Sequence, residues 1–589
     1  MTPENATNMI RHARTRGLRR WLPGLAMLSR YTRSQFSRDL VAGLVLTSLL
    51  APVGMGYAEA TGLPPIYGLY ATIFPLLVYA VFGPSRILVL GPDSGLTALI
   101  AATILPLAGG DARHAAELAA VLAIITGVFC ILAGLARFGF ITDLLSKPIR
   151  AGYMNGIALT LLIGQLPKVF GFHVGNSSLL HTANELAKSV LNGRTNWVAF
   201  AIGVSSLAVI FGMKRWLPRL PGVLVAVVGS SLAVAFFDLQ TTAQLAVVGA
   251  LPQGLPGMNI PYITVTEFTS LCTGAVAIAL VSITDMSVLS RIYALRGGYY
   301  VDENQELVAL GIANLTTGLF QGFPVSSSAS RTPVAEAAGA KSQITGVVAA
   351  LCIGLLLVFA PKLMMYVPNA ALGAVVISAC SSIVEFSEVR RLFRLRRSEF
   401  YLSMACFLGV VSVGVIQGIF IAVGMALLVF IWHAWRPYCA VLGRVDGMKG
   451  YHDITRHPEA RQIPGLVLFR WDAPLFFANS EFFREKALKA ISGSPTVTKR
   501  IVVAAEPVTD IDITAADVLA ELEEELHRAG IEFCFAVMKG PVKDRLKRYG
   551  LFTKLGTENF FPTIGQAVDN YVTIHQVTWR DWENDKKKK

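Results

Sequence analysis

Between Asp39 and Trp435 the chain alternates long apolar runs with short polar breaks, the pattern of helices that cross a bilayer. The runs read as Leu40–Tyr57, Tyr67–Phe82, Asp93–Leu107, Ala115–Ala136, Ile149–Leu166, Trp197–Met213 and Val223–Phe237. A second set reads as Val265–Ser290, Leu307–Phe320, Ser330–Ala340, Thr345–Ala360, Asn369–Val384, Phe400–Val415 and Ile416–Trp435. Asp93–Leu107 and Ser330–Ala340 fall conspicuously short of the roughly 20 residues that hydrocarbon requires. Each is third in its set of seven. Matched short segments in corresponding halves point to an inverted-repeat transporter with its site near the membrane midplane.

The second short run grows out of an unusual stretch, Gln321 to Gly339. Pro324 denies its N–H and disfavours helix at Phe323, so an extended approach is expected before Val325. Ser326, Ser327, Ser328 and Ser330 then offer hydroxyls, and Arg331 adds a permanent positive charge. Pro333 suits a first helical turn, and an alanine-rich run follows it. The stretch therefore reads as a half-helix whose N-terminus gathers free N–H groups, hydroxyls and a guanidinium, which together suit an anion. A polar external loop leading into a capped helix is the plainer alternative. Irregular backbone at membrane depth belongs only where protein or a watery cavity surrounds it.

After Tyr438 the pattern changes to strands at Leu466–Arg470, Pro474–Ala478, Arg500–Ala504 and Phe533–Val537. Helices are expected at Glu481–Ile491, Ala516–Arg528 and Val542–Tyr549, with Leu519, Leu522 and Leu526 on one stripe. The alternation predicts a soluble α/β domain. The limits expected are a cytoplasmic N-terminal segment at 1–38, a membrane domain at 39–437, the α/β domain at 438–575 and a basic tail at 576–589. Arg11, Arg14, Arg16, Arg19 and Arg20, with Trp21 and Leu22, suggest an amphipathic helix on the inner membrane surface. No short apolar core with a small-residue cleavage site follows directly, which argues against a cleavable signal.

Composition agrees: 53% of the 589 residues are apolar and 15% charged, where a soluble chain is nearer a quarter charged. The net charge of +13 comes with no nucleic-acid motif. With the N-terminus inside, fifteen basic residues fall on inner breaks, among them Arg150 and Arg390–Arg397. Only Arg113, Lys168, Lys188, Arg194 and Lys362 fall outside. That bias places both termini in the cytoplasm of a cell (inner) membrane protein. The seven cysteines have no paired spacing and read as buried small hydrophobes. No phosphate loop, metal-ligand spacing or nucleophile–base pattern argues for an enzyme, and no cofactor is expected.

Several stretches together resemble the sulfate permease (SulP) anion transporters, from about Arg38 to about Val572. They are Glu59–Tyr70, Phe82-Gly83-Pro84-Ser85-Arg86, Asn304-Gln305-Glu306-Leu307, and Phe320–Pro324 through Ser330-Arg331-Thr332. The resemblance implies two inverted seven-helix repeats arranged as core and gate domains, a cytoplasmic STAS domain and a homodimer. It also implies an anion held between the facing ends of the third and tenth helices. Its site residues map onto Val53 and Tyr57, Asp93 and Ser94, and Ser330 and Arg331, with Ser328 in the same hydroxyl-rich approach. It further puts an acidic residue of the eighth helix, here Asp285, beside the substrate for ion coupling. The sequence departs from the family at Val53, where a glutamine is common, and at Asp93, where many relatives are uncharged. It departs again at Thr514, which alone keeps a hydroxyl in the loop where related domains are phosphorylated.

Asp93 suits a helix cap and also a functional carboxylate. Asp285 sits late in an apolar run, where a carboxylate is costly and usually lines an ion path; a structural pair with Arg331 is the plainer alternative. The function expected is a secondary active transporter of a small inorganic anion, sulfate first, coupled to protons through Asp285 and Asp93. Sodium-coupled bicarbonate, chloride exchange, a dicarboxylate carrier, and a channel or sensor signalling through the STAS domain stay open.

Overall fold

The computed structural model describes residues 22–28, 31–139, 147–172, 179–217 and 221–582. The basic helix expected within residues 1–21, Arg219 and the Lys586–Lys589 run lie outside the described residues. The chain divides into two compact units, Met1–Ala426 and Leu427–Lys589.

Every apolar run forms a helix. The first seven are α1 (Arg33–Ala60), α2 (Pro65–Phe82), α3 (Ser94–Ala108), α4 (Ala112–Leu135), α5 (Lys147–Phe170), α6 (Trp197–Trp216) and α7 (Gly222–Phe237), with strand β1 (Leu90–Gly91) before α3. The second seven are α8 (Val265–Gly297), α9 (Glu303–Leu319), α10 (Arg331–Ala337), α11 (Ile344–Phe359), α12 (Asn369–Ile383), α13 (Arg397–Ser412) and α14 (Val415–Trp435), with strand β2 (Ser326–Ser327) before α10. Seven of the described helical stretches are by themselves long and apolar enough to cross a membrane, and α3, α7 and α11 are shorter apolar helices. Two further helices, Leu179–Leu191 and Phe386–Leu395, escape a search for apolar runs because their apolar residues lie on one face only.

The helices pack in two groups. In one, α4 lies along α9, and α1, α2, α3, α8, α10 and α11 complete the set; in the other, α5 packs on α12 and α13, with α6 and α7 beside them. The α4–α9 contact is backbone to backbone. A Cβ on Gly311 would come within 2.6 Å of the Gly127 carbonyl oxygen, so only glycine permits the approach. Two buried carboxylates tie the first group together. Asp39 of α1 accepts hydrogen bonds from Tyr31 Oη (2.8 Å), Lys341 N (2.6 Å), Ser342 N (3.2 Å), Ser342 Oγ (2.6 Å) and Thr345 Oγ1 (3.0 Å), and so ties α1 to the residues leading into α11. Glu306 of α9 accepts from Tyr79 Oη of α2 at 2.6 Å and from Ser85 Oγ. These contacts join two of the stretches that carry the family resemblance.

Lys168 and Arg150, counted as loop charges, belong inside α5. Lys168 meets Glu59 of α1 at 3.4 Å, and Arg150 is also an interior residue of the bundle. A cation near a helix end reads as a loop residue in sequence, but here a carboxylate on a neighbouring helix draws it inward.

The second unit contains a six-stranded sheet of order β4-β3-β5-β6-β7-β8, formed by Cys439–Arg444 (β3), Tyr451–Asp453 (β4), Leu466–Trp471 (β5), Arg500–Ala504 (β6), Glu532–Ala536 (β7) and Phe560–Phe561 (β8). Strands β5 to β8 run parallel, and β3 is antiparallel to both neighbours. Its helices include α15 (Ser480–Ser492), α16 (Ile513–Arg528), α17 (Gly540–Arg548) and α18 (Ile564–His575). The strand expected at Pro474–Ala478 is instead a loop with one bridge, Leu475 to Ile511. Pro474 cannot donate to a ladder, and Asn479 Nδ2 captures its carbonyl at 3.0 Å. Asp512 caps α16 through Ala515 N at 2.8 Å, leaving Thr514 exposed on the first turn. Cys534 lies in the sheet core, and burial pushes its thiol up to about 12, as suits a small hydrophobe.

Candidate anion site

The two short helices are brought face to face by their strands. β1 and β2 pair antiparallel, Leu90 with Ser327 and Gly91 with Ser326. The pairing continues outward, with Ser328 N donating to Val89 O at 3.0 Å and Val89 N to Thr332 Oγ1 at 3.2 Å. Asn314 of α9 clamps the incoming extended chain, accepting from Val325 N at 2.8 Å and donating to Val325 O at 3.0 Å. Thus α3 begins at Ser94 and α10 at Arg331, on either side of a two-residue ladder.

Arg331 is 1% exposed, and its Nε, Nη1 and Nη2 have no hydrogen-bond partner among the described residues. Asp93 Oδ1 lies 3.8 Å from Nη2, an ion-pair distance too long for a hydrogen bond. The guanidinium also packs on Gly91, where a Cβ would stand 3.1 Å from Nη1. Asp93 caps α3, accepting from Gly95 N at 2.9 Å, so it is both a cap and part of the cluster. Ser328 and Ser330 hydroxyls lie 3.2 Å apart, and Ser328 Oγ accepts from Arg331 N at 3.3 Å. Ser328 also lies beside Asp93. Tyr57 is buried beside Ser94, with Asp93 and Arg331 within electrostatic reach. The geometry therefore brings together Tyr57, Asp93, Ser94, Ser328, Ser330 and Arg331. Val53 is buried in α1 and offers no polar atom.

Asp285 adjoins this cluster through α3. A Cβ at Gly95 would stand 3.3 Å from Asp93 Oδ2 and 3.6 Å from Asp285 Oδ2, so both carboxylates flank one glycine. The ion-pair partner of Asp285 is Arg150, not Arg331: Nη2 to Oδ1 is 3.1 Å. Arg150 Nε and the Tyr153 hydroxyl, both from α5, are buried without a hydrogen-bond partner among the described residues. Sequence reasoning missed Arg150 and Tyr153. The usable signal was Asp285 itself, because a buried carboxylate calls for a cation.

Chemically, the centre is a desolvated guanidinium with unused donors, facing hydroxyls and one carboxylate. Unsatisfied buried donors are costly and ask for an acceptor, and an oxyanion supplies several at once.

Comparison with known proteins agrees on the architecture. The sequence model of the sulfate permease family matches residues 36–406, and that of the STAS domain matches residues 457–567. A probable sulfate transporter of Mycobacterium tuberculosis is 40% identical over 551 residues, 94% of this chain and 98% of the relative. The chloroplastic sulfate transporter 4.1 of Arabidopsis thaliana is 30% identical, over 93% of this chain and 82% of the relative. Among solved structures, murine Solute Carrier 26 family member A9 in the inward-facing state aligns with a TM-score of 0.86 at 23% identity, covering 93% of each chain. The transmembrane domain of the cyanobacterial bicarbonate transporter BicA aligns at 0.58 and 20% identity, over 68% of this chain and 98% of that one. A match over most of the chain, on a fold of paired half-helices followed by an α/β domain, makes this chain a member of the sulfate permease family: a multi-pass membrane transporter with a C-terminal STAS domain.

Proposed function

We propose that the chain is a secondary active transporter of sulfate, bound between the starts of α3 and α10 and moved together with protons. The observation that carries this reading is the buried Arg331 guanidinium with three unpartnered nitrogens. Tyr57, Ser94, Ser328 and Ser330 supply the surrounding hydroxyls, while Asp93 and Asp285 take up the coupling protons. A proton on Asp93 removes the carboxylate that competes with sulfate for Arg331. Relatives named as sulfate transporters favour the same substrate.

One feature favours a second substrate. With Asp93 3.8 Å from Arg331, an anion carrying its own O–H, such as hydrogencarbonate, can donate to the carboxylate while accepting from the guanidinium.

We place the membrane domain at 39–437 and the STAS domain at 438–575, in a homodimer of the cell inner membrane with both termini cytoplasmic. The bias of basic residues supports that orientation. The test is counterflow in proteoliposomes: unlabelled sulfate inside should accelerate entry of labelled sulfate, with hydrogencarbonate among the competitors. Entry without trans-stimulation would make the protein a pore, and no entry of any oxyanion would end the transport reading.

A further inference from the structure

The Lys168–Glu59 ion pair crosses from one helix group to the other. Lys168 Nζ stands 3.4 Å from Glu59 Oε2, and the two side chains are 17% and 9% exposed. Both residues lie in the last turn of their helices, α5 and α1. A carboxylate at the C-terminal end of a helix meets the negative end of its dipole, so nothing local to α1 favours Glu59 there. The cation that offsets this comes from the other group.

Each partner is fixed within its own group. A Cβ on Gly68 of α2 would fall 1.9 Å from the Gly54 carbonyl oxygen, which holds the end of α1 against α2. Lys168 rests on α12, where a Cβ at Gly373 would stand 3.4 Å from the Lys168 Cβ. Phe170 O accepts from Asn196 N at 3.0 Å and ties the end of α5 to the start of α6. Between these anchors the groups meet tightly: a Cβ at Gly56 of α1 would lie 3.2 Å from Cγ2 of buried Val376 in α12. Tyr57, beside the anion site, is the next residue. A seam between the groups therefore runs from the site along α1 to the ion pair. Both charges regain water when the seam parts, which suits a contact that is broken and remade.

We propose that Glu59 and Lys168 form an outer latch. Closed, it holds α1 against α5 and α12 on the outer side of the anion site, and the two groups part there whenever the site opens outward. The inference rests on the transport reading and its orientation, and adds a contact made and broken in each cycle.

The test tethers the two positions. Full-length protein carrying Glu59→Cys and Lys168→Cys, purified and placed in proteoliposomes, should exchange labelled sulfate. It should lose exchange when a short reducible bis-thiosulfonate bridges the pair, and regain it on reduction. Peptide mass confirms the bridge, and wild type treated alike supplies the baseline. Exchange that continues through a completed bridge would overturn the latch, as would a folded double variant that exchanges nothing while wild type does. A second measurement places Val376→Cys in the seam and adds a membrane-impermeant maleimide outside intact cells. Lys168→Gln should raise labelling at residue 376 about fivefold, the scale of one lost ion pair. Glu59→Lys combined with Lys168→Glu, which restores the pair with its charges exchanged, should return the rate to its starting value. A rate at residue 376 that Lys168→Gln leaves unchanged would overturn the proposal, even where the cysteine pair does not fold. Absence of sulfate exchange by wild type would instead refute the transport reading itself.

Discussion

Replacing Arg331 by Gln removes the charge at the centre of the site and keeps one donor. The guanidinium is 1% exposed, and none of its three nitrogens has a hydrogen-bond partner among the described residues. Hydrogen bonds that involve a charged group contribute about 1.5–3 kcal/mol each, so two lost to a bound oxyanion amount to roughly 3–6 kcal/mol. Part of this is offset, because the wild-type protein without ligand holds a buried cation whose paired carboxylate, Asp93, is 3.8 Å away. A net loss of about 2–4 kcal/mol remains, which is roughly a 30- to 1000-fold rise in the dissociation constant. The assay is equilibrium binding of labelled sulfate to purified protein, with thermal melting to confirm that the variant is folded. Arg331→Lys separates charge from shape, since an ammonium cannot offer the planar fork. Affinity within about threefold of wild type in a normally melting Arg331→Gln protein would refute the site, because that change is below 1 kcal/mol.

Asp285→Asn imitates the protonated carboxylate: uphill sulfate uptake should fail while exchange persists, and Asp93→Asn should be milder because its cap can be replaced; uphill uptake with an unchanged pH profile would reassign coupling to Asp93. Asp39→Ala removes the acceptor of five hydrogen bonds at the α1–α11 junction and should destabilise the purified protein by about 2–4 kcal/mol, read as a lower melting temperature with sulfate affinity retained. Truncation after Pro437, ahead of strand β3, should leave measurable sulfate affinity in folded protein, and complete loss would mean that the STAS domain helps to build the site.

The helices were legible because an apolar run states its own extent. All fourteen runs correspond to helices, and the two short ones are the pair that meets at β1 and β2. The half-helix at Arg331 was legible for a local reason as well: Pro324, the serines and Pro333 fix an extended approach and a helix start within ten residues. Amphipathic Phe386–Leu395 was not, since its apolar residues are interrupted by arginines that read as loop charge. Strand β3 and helix α18 were also missed, the first being a short run beside a membrane helix. Pro474–Ala478 misled in the other direction, because a short apolar run resembles a strand until the backbone donor missing at Pro474 is counted.

Ion partners escaped the sequence for a deeper reason. Arg150 and Asp285 are 135 residues apart, and no local pattern links them. A cation one turn inside a helix looks the same in sequence whether it faces water or a buried carboxylate. What selects between these is the carboxylate: a buried negative charge several kcal/mol out of equilibrium with water has to find a cation or a proton. Among the described residues of the first unit, Asp39, Glu306, Asp285 and Asp93 each find a different solution. Asp39 is satisfied by backbone and hydroxyl donors, and Glu306 by Tyr79 and Ser85. Asp285 is satisfied by Arg150 across the two helix groups. Asp93 alone shares its cation at a distance too long for a hydrogen bond. The first two lock helices within one group and have nothing left to offer a ligand. The last two adjoin the unpartnered Arg331 and Arg150 nitrogens, and that difference is why we propose Asp93, Asp285 and Arg331 as working residues of the carrier.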